Sequence, residues 1–310
     1  MSFREDVLAG LAARPRAIPA RWFYDRRGSE LFEAITALPE YYPTRTETAI
    51  LERIAPELAQ AVPRGAAVVE FGSGSSTKTP LVLRAVAASL YAPIDISGAF
   101  LAEAVAALRR VLPDLPIAPV EADFTRSFAL PPAVDYAPKL GFFPGSTIGN
   151  LAPFAACDLL RSMRAVLGDG ALLLIGMDRV KDVGVLLRAY DDAAGVTAAF
   201  NRNLLVRINR ELDGSVPVDA FQHVARWNAR DSRIEMHLVA TRDVAFTVAG
   251  QPFAVASGET IHTENSHKYG ERDARMLLAS GGWTVLRRWT DPDELFDVYL
   301  AAAASPAAAP

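Results

Sequence analysis

Apolar positions near the start of the chain recur at the spacing of helices. Within residues 27–38 the apolar face begins at Leu31 and ends at Leu38. The pattern breaks at residues 39–43, which carry a proline at each end. Residues 1 to about 60 are therefore predicted to form helices and turns.

From residue 66 onward, short apolar runs alternate with helical segments. Five runs are predicted as strands: residues 66–71, 89–95, 116–123, 139–143 and 168–178. Strands that alternate with helices at this spacing predict a parallel sheet covered on both faces. Ligands of such sheets bind outside the carboxyl ends of the strands, so the loops there are searched for chemistry.

The alternation then lapses and later resumes. Residues 184 to about 220 have a helical pattern, whereas residues 221–262 alternate like antiparallel strands. A helix over 271–281 and two strands within 283–302 follow, spaced like a hairpin. The fold class predicted is α/β, because a parallel sheet closed by a late antiparallel hairpin fits a methyltransferase-type Rossmann sheet better than a dehydrogenase. Residues 303–310 are predicted as a low-complexity tail.

Composition narrows the class of protein. The chain has 310 residues, of which 51% are hydrophobic and 22% charged, with a formal net charge of −4. This length predicts two domains or one elaborated domain. The absence of a basic block argues against a nucleic-acid partner, and no stretch reaches the ~20 apolar residues of a membrane span. We expect a cytoplasmic protein.

The cysteines and histidines give no metal-binding pattern. Cys157 is the only cysteine, which excludes an internal disulfide and a cysteine-ligated zinc site. The four histidines form no HExxH motif, and His262 and His267 are interpreted as surface residues beside a loop. The sequence therefore predicts no metal.

A glycine-rich turn follows the first predicted strand of the sheet. Gly72 and Gly74 come directly after Glu70 and allow the backbone to approach a ligand closely. A dehydrogenase fingerprint and a P-loop both need a third glycine where Thr77 stands. S-adenosylmethionine has no phosphates to bind and requires only an acidic residue before such a turn, so this ligand fits best.

Two acidic residues end the next predicted strands. Asp95 lies about twenty residues after the glycine turn, where a carboxylate can accept hydrogen bonds from both ribose hydroxyls. Asp123 and Phe124 end the third strand, where they suit the adenine amino group and ring. Each residue alone has an ordinary alternative as a cap or loop residue, but acids at successive strand ends favour a nucleoside-containing ligand.

Two further segments carry polar side chains at predicted strand ends or strands. Residues 144–150 supply flexible backbone and Asn150, where the transferred group is expected to lie. In residues 263–269, Glu264 and Ser266 point to one side if the stretch is extended. A glycine turn and a surface segment are the simpler interpretations of these two segments.

Four motifs together carry a resemblance to a known family. They are residues 22–47 (WFYDRRGSELFEAITALPEYYPTRTE), 70–79 (EFGSGSSTKT), 143–151 (FPGSTIGNL) and 263–269 (TENSHKY). In this combination the chain closely resembles the S-adenosylmethionine-dependent L-histidine Nα-methyltransferases of ergothioneine biosynthesis, from about Pro19 to the C-terminal hairpin. The family resemblance implies a Rossmann-like class I methyltransferase domain and a second α+β substrate-binding domain.

The resemblance also implies where the domains divide. The methyltransferase domain takes residues 47–183 and 268–302, and the substrate-binding domain takes residues 1–46 and 184–267. S-adenosylmethionine is the implied methyl donor, with L-histidine and its Nα-methylated forms as small-molecule substrates. A monomer without nucleic-acid or membrane partners is expected.

Site residues are implied by position in the matching motifs. Those assigned to the cofactor are Tyr24, Gly72, Lys78, Asp95, Asp123 and Phe124. Those assigned to the substrate are Tyr41, Gly145, Asn150, Tyr190, Phe200, Met236, Glu264 and Ser266. Asn150 and Tyr190 are implied to bind the substrate carboxylate, and Glu264 and Ser266 the imidazole, with one acceptor and one donor.

The reaction implied is trimethylation of the histidine α-nitrogen to hercynine. A hydroxyl of Tyr24 or Tyr41 is the candidate for accepting the amine proton. Two alternatives remain: a methyltransferase of the same fold acting on another amino acid or small amine, and a non-catalytic sensor of S-adenosylmethionine or an amino acid.

Overall fold

The chain folds into two units that each draw on separate stretches of sequence. The computed structural model describes residues 2–74, 78–96, 98–126 and 128–303. One unit comprises residues 1–42 and 181–268 and is called the first unit here; the second unit comprises residues 43–180 and 269–310. These boundaries differ by a few residues from the predicted ones. The predicted tail lies, from residue 304 on, outside the described residues.

The described helices and strands follow the predicted order. The helices are α1 Phe3–Ala12, α2 Arg26–Thr36, α3 Tyr42–Ala61, α4 Thr79–Ala85, α5 Gly98–Val111, α6 Pro153–Leu167, α7 Val183–Tyr190, α8 Val196–Glu211 and α9 Glu271–Ser280. The strands are β1 Arg16–Ala17, β2 Ala67–Phe71, β3 Leu90–Asp95, β4 Val120–Glu121, β5 Lys139–Phe143, β6 Leu172–Asp178, β7 Phe221–Asn228, β8 Arg233–Ala240, β9 Val244–Val248, β10 Gln251–Val255, β11 Thr260–His267, β12 Trp283–Thr290 and β13 Phe296–Ala303.

The second unit contains the Rossmann-like sheet. Its strand order is β12-β13-β6-β5-β2-β3-β4, with β2 to β6 parallel and β13 antiparallel to both of its neighbours, β6 and β12. Every residue of β2 and β6 is buried, because apolar side chains pack on both faces. Val69 belongs to the apolar cluster on one face and Val68 to the cluster on the other. This is the predicted fold class.

The order of the strands fixes where a ligand can bind. The chain starts the parallel sheet at β2, continues outward through β3 and β4, and then crosses back to β5 on the other side of β2. The crevice between the carboxyl ends of β2 and β5 is thus the topological switch point, where sheets of this kind bind ligands. The loops that begin at Gly72 and at Pro144 both start there.

The first unit contains a smaller sheet in the order β1-β11-β8-β7 and the hairpin β9-β10. Strands β7, β8 and β11 are antiparallel, and α2 packs against α8. Between β8 and β11 the register shifts: His262 pairs with His237, and Glu264 pairs with Met236. Thr263 is therefore the extra residue of a β-bulge, and it turns His262 and Glu264 to opposite faces of the sheet although they are two residues apart.

Two predictions from the sequence need correction. Strand β4 ends at Glu121, so Asp123 lies in the turn beyond the strand rather than at its last position. His262 and His267 lie within β11 and not on a surface loop, and His267 is buried. The error arose because the alternation of residues 260–267 is interrupted by the bulge, which hides a strand from a period-two pattern.

Candidate active site

The glycine turn after β2 curls over the end of β3. The amide of Gly72 donates a hydrogen bond of 2.8 Å to the carbonyl of Ile94, and the amide of Gly74 donates one of 3.2 Å to Oδ2 of Asp95. Both glycines have positive φ, 74° and 40°, which other residues rarely adopt. The turn therefore brings its open backbone next to the Asp95 carboxylate, as a nucleoside site requires.

Phe124 explains why the first position of this turn must be glycine. A Cβ atom on Gly72 would lie 3.3 Å from Cε1 of Phe124. The Phe124 ring is half-buried and packs edge-on against Phe143, with ring centroids 5.8 Å apart. Oδ1 of Asp123 accepts a hydrogen bond of 3.0 Å from the amide of Thr125, which holds the turn that presents Phe124.

Glu70 is held inside the protein. Its Oε2 accepts hydrogen bonds from the Tyr91 hydroxyl at 2.6 Å and from the Thr79 hydroxyl at 2.8 Å. Complete burial raises the pKa of the Glu70 carboxyl to about 7, although the two hydroxyl donors oppose this. The acidic residue before the glycine turn thus fastens the start of α4 to β2 and β3.

A buried ion pair joins the switch-point loops. Nζ of Lys78 contacts Oε2 of Glu47, and the same oxygen accepts a 2.9 Å hydrogen bond from the amide of Gly145. Glu47 is fully buried, and Gly176 leaves room for it, because a Cβ there would lie 2.1 Å from Oε1. Lys78 therefore helps to position the turn after β5 through its ion pair with Glu47.

The turn after β5 is tightly wound. Gly145 and Ser146 both have positive φ, 79° and 58°, and Oγ of Ser146 accepts a 2.9 Å hydrogen bond from the amide of Asp178. A 3₁₀ turn over Thr147–Asn150 follows, and Asn150 is half-buried at its end. Asn150 thus lies at the end of the turn that follows β5.

The first unit contains a cluster of polar groups at the end of β11. The hydroxyls of Tyr190 and Ser266 are 2.7 Å apart, and Nζ of Lys268 donates to both, at 2.9 Å and 2.7 Å. All three residues are buried. The cluster places a cation and two hydroxyls together, so it is suited to bind an anionic or acceptor group.

Glu264 lies on the same face of the sheet as Ser266, as predicted, and opposite Met236. Burial raises the pKa of the Glu264 carboxyl to about 7, and the charge of Lys268 opposes that rise. No hydrogen bond reaches this carboxylate from any residue that the structure describes. The Glu264 side chain is half-buried, and a ligand with an N–H group can donate to its carboxylate.

Aromatic rings surround this part of the first unit. The Tyr41 ring lies edge-on to Tyr190, with centroids 6.2 Å apart. Phe200 is buried and packs against Tyr24, with centroids 5.8 Å apart, and against Phe32, 6.0 Å apart. Tyr24, Tyr41, Tyr190, Phe200, Met236, Glu264 and Ser266 therefore belong to one unit, and the other predicted site residues belong to the second.

Two residues of this machinery carried no prediction. Glu47 ends the first of the four matching motifs and Lys268 lies in the last, but neither was assigned a role. A buried lysine or glutamate is unusual enough that its burial is the signal, and burial of a charged side chain does not show in a sequence pattern.

Comparison with known proteins finds a matching family over nearly the whole chain. Residues 3–303 match a family described as histidine-specific methyltransferase, SAM-dependent. The chain is 45% identical over 307 residues to the histidine N-alpha-methyltransferase of Mycolicibacterium smegmatis, covering 97% of this chain and 94% of that protein.

A fungal relative and a solved structure extend the comparison. The chain is 30% identical to ergothioneine biosynthesis protein 1 of Neurospora crassa, over 90% of this chain and 32% of that protein. The structure is similar to that of the CcbJ methyltransferase of Streptomyces caelestis, with a TM-score of 0.50, 13% identity, and 91% and 100% of the two chains covered. At 13% identity, the similarity to the CcbJ methyltransferase supports the fold alone.

Proposed function

We propose that this chain, which belongs to the family of histidine-specific, S-adenosylmethionine-dependent methyltransferases, trimethylates the α-nitrogen of L-histidine to hercynine in ergothioneine biosynthesis. It is an S-adenosylmethionine-dependent N-methyltransferase. Relatives named for histidine Nα-methylation and for ergothioneine biosynthesis support the choice of substrate and pathway.

The observation that carries the proposal is the pairing of Glu264 with Ser266. Imidazole has one N–H donor and one acceptor nitrogen in its neutral form. Glu264 is a half-buried acceptor that receives no hydrogen bond from the described residues, and Ser266 on the same face has a hydroxyl that can donate. A histidine side chain would complement both groups, which an aliphatic amino acid cannot do.

The substrate carboxylate is proposed to bind Asn150 and Tyr190, near Gly145. The Tyr190 hydroxyl is joined to Lys268 at 2.9 Å, so positive charge stands behind this donor. Hydroxyl and amide donors backed by a lysine suit a carboxylate. Because the Tyr190 and Ser266 hydroxyls also contact one another, we propose that a bound histidine displaces that contact and separates them.

The cofactor site is proposed to comprise Gly72, Lys78, Asp95, Asp123 and Phe124, with Tyr24. The described residues fit a nucleoside: Gly74 has nothing within 4 Å of an added Cβ, and the Asp95 carboxylate lies beside this turn. S-adenosylmethionine would supply a sulfonium methyl group; the free-base α-amine would attack this methyl in line, and S-adenosylhomocysteine would leave as the S–C bond breaks. The protein supplies position, and the amine proton passes to solvent or to a hydroxyl of Tyr24 or Tyr41.

Successive methylation follows from how the substrate is held. Each methyl removes an N–H donor from the α-nitrogen, so a pocket that bound the amine directly would lose its product after one transfer. Anchoring of the carboxylate and the imidazole leaves the nitrogen free to rotate. Aromatic faces of Tyr24 and Tyr41 can stabilise the quaternary ammonium by cation–π attraction.

A panel of amino acids with S-adenosylmethionine tests the substrate assignment. We expect a mass increase by whole methyl groups for histidine and for no other member of the panel. Methylation of another amino acid or amine in place of histidine would favour the same-fold alternative. Binding of both ligands without any mass change would identify a sensor.

The oligomeric state and the location of the protein are further proposals. We propose a monomer that acts in the cytoplasm on small molecules, without nucleic acid, since its substrates are small water-soluble metabolites and its net charge is −4. In the described part of the chain no helix has both the length and the apolar composition to cross a membrane. Sedimentation equilibrium with and without S-adenosylmethionine tests the monomer.

A further inference from the structure

The face of the small sheet opposite Glu264 carries a cluster of metal-binding side chains. His237 and His262 are cross-strand partners whose rings stack at 4.9 Å, and Glu235 precedes His237 on the same face of β8. One ligand atom from each of the three residues lies within 4.8 Å of the other two. We propose that Glu235, His237 and His262 bind one divalent transition-metal ion, with Zn²⁺ the preferred occupant.

The Glu235 carboxylate is oriented by residues outside the cluster. Its Oε1 accepts hydrogen bonds from Nδ2 of Asn228 at 2.9 Å and from Nε of Arg233 at 2.8 Å. Its Oε2 faces His237 and lies 3.1 Å from Nε2 of that ring. Two ligands that each lie about 2.1 Å from a shared metal ion are themselves roughly 3 Å apart, so this pair needs little movement to bind one.

The second imidazole is oriented in the same way. Nε2 of His262 lies 2.9 Å from the main-chain carbonyl of Glu264, which requires the proton on that nitrogen. The electron pair of the ring is then on Nδ1, the form in which histidine binds metals. Outer hydrogen bonds thus fix both Glu235 and His262, as they do in protein metal sites.

Protonation states favour an ion as well. Burial lowers the pKa of both His237 and His262, which keeps the rings neutral near pH 7. Although burial alone would raise the pKa of Glu235, hydrogen bonds from Asn228, Arg233 and His237 lower it to about 2. One carboxylate and two neutral imidazoles form a donor set that Zn²⁺ binds well.

The cluster also has hydrogen-bonding capacity that the protein does not use. Among the described residues, no partner reaches Nδ1 of His237 or Oδ1 of Asn265, which are both buried. Asn265 pairs with Glu235 across the strands and so lies on this face. Water ligands that complete the coordination of an ion could bond to these atoms.

Arg233 affects how tightly the ion binds, and His262 connects the ion to the β-bulge. The positive charge of Arg233 lowers the affinity below that of a closed structural zinc site. Since Nε2 of His262 bonds to the carbonyl of Glu264, an ion on His262 would also hold the bulge that turns Glu264 to the other face. The site is absent from the sequence prediction because neighbouring strands, and not chain spacing, bring its ligands together.

Titration of the chelator-treated, tag-free protein with Co²⁺ and then Zn²⁺ tests the proposal. We expect one equivalent of Co²⁺ to give visible d–d absorption, which Zn²⁺ then removes. Glu235→Gln and His262→Gln should each weaken Co²⁺ binding at least tenfold, as ligand losses do. Asp219→Asn is the matched control, because Asp219 also pairs with an arginine, Arg242 at 2.9 Å, but lies outside the cluster and the residues bonded to it, and this variant should bind as the parent does.

The result is decisive in either direction. Absence of saturable Co²⁺ and Zn²⁺ binding in the parent protein overturns the proposal, as does stoichiometric binding that both ligand variants retain. Thermal unfolding of each variant identifies any that is misfolded. If one ligand variant fails to fold, the other, compared with Asp219→Asn, still decides.

Discussion

Two carboxylates with raised pKa values, one in each unit, differ in their surroundings. Burial raises the pKa of both Glu70 and Glu264 to about 7. Glu70 is bonded by the hydroxyls of Tyr91 and Thr79, whereas no hydrogen bond from the described residues reaches the Glu264 carboxylate. Glu70 therefore joins the start of α4 to β2 and β3 in the absence of ligand, whereas we propose that the substrate donates a hydrogen bond to Glu264.

The surrounding charges follow the same division. In the second unit, Glu47 and Lys78 form an ion pair beside Gly145, although Oε1 of Glu47 receives no hydrogen bond from the described residues. In the first unit, Lys268 bonds to the hydroxyls of Tyr190 and Ser266 and lies near Glu264 without a hydrogen bond to it. Specificity for the acceptor substrate should therefore depend on the first unit and be sensitive to single changes there.

The largest effect is expected from removing the acceptor at Glu264. Glu264→Ala should leave the imidazole N–H of bound histidine without its acceptor. We expect kcat/KM for histidine to fall about 30- to 1000-fold, which corresponds to a loss of about 2–4 kcal/mol of transition-state stabilisation. S-adenosylmethionine affinity, measured by calorimetry, should stay nearly unchanged.

Glu70 supplies the control for this comparison. Glu70→Gln alters a carboxyl that also has a raised pKa of about 7, yet the histidine KM at saturating S-adenosylmethionine should stay within about twofold, because Gln still accepts from Tyr91 and Thr79. Parent-like histidine kinetics in the folded Glu264→Ala variant would remove Glu264 from the acceptor site.

The sequence predicted the scaffold well and the polar detail poorly. The five strands after residue 66 and the C-terminal hairpin are in place, because apolar runs and turns report local structure directly. Asp95 at the end of β3 was predictable from spacing alone. The bulge at Thr263 and the buried pair Glu47–Lys78 were not, because both depend on contacts between distant parts of the chain.

The next effect concerns the cofactor side of the comparison. Asp95→Ala should weaken S-adenosylmethionine binding by about 1.5–3 kcal/mol, the range of a charge-assisted hydrogen bond. The same variant should leave the histidine KM close to that of the parent once the cofactor is saturating. Calorimetry that shows undiminished cofactor affinity in a folded variant would refute the assignment of the ribose to Asp95.

A smaller effect is expected on stability, with a defined pH dependence. The Glu264 carboxyl has a pKa of about 7 when folded, against an ordinary 4.5, so the unfolded chain loses this proton first as pH rises. The free energy of unfolding therefore falls as pH rises from about 4.5 to 7. At pH 8, Glu264→Gln should increase it by about 1–2 kcal/mol. Urea unfolding at pH 8 and at pH 4.5 checks this, and a difference that is equal at both values would contradict it.

The smallest effect is a shift in the pH profile on changing Lys268. Loss of this charge in Lys268→Met should raise the pKa of Glu264 further and move the acid limb of kcat/KM for histidine upward by about half a unit. Lys268→Arg keeps the charge and should keep the limb in place. Since the substrate's own ionisations are common to all three proteins, an unmoved limb in the Met variant would show that Lys268 does not act on Glu264.

The number of methyl groups transferred shows how the pocket holds its substrate. In the proposed pocket the carboxylate and the imidazole are anchored, and the α-nitrogen is left free. Mass spectrometry of histidine with excess S-adenosylmethionine, followed over time, should show the Nα-trimethyl betaine as the end product and Nα,Nα-dimethylhistidine as a competent substrate. Accumulation of monomethylhistidine as the end point would contradict the account, even with the first transfer confirmed.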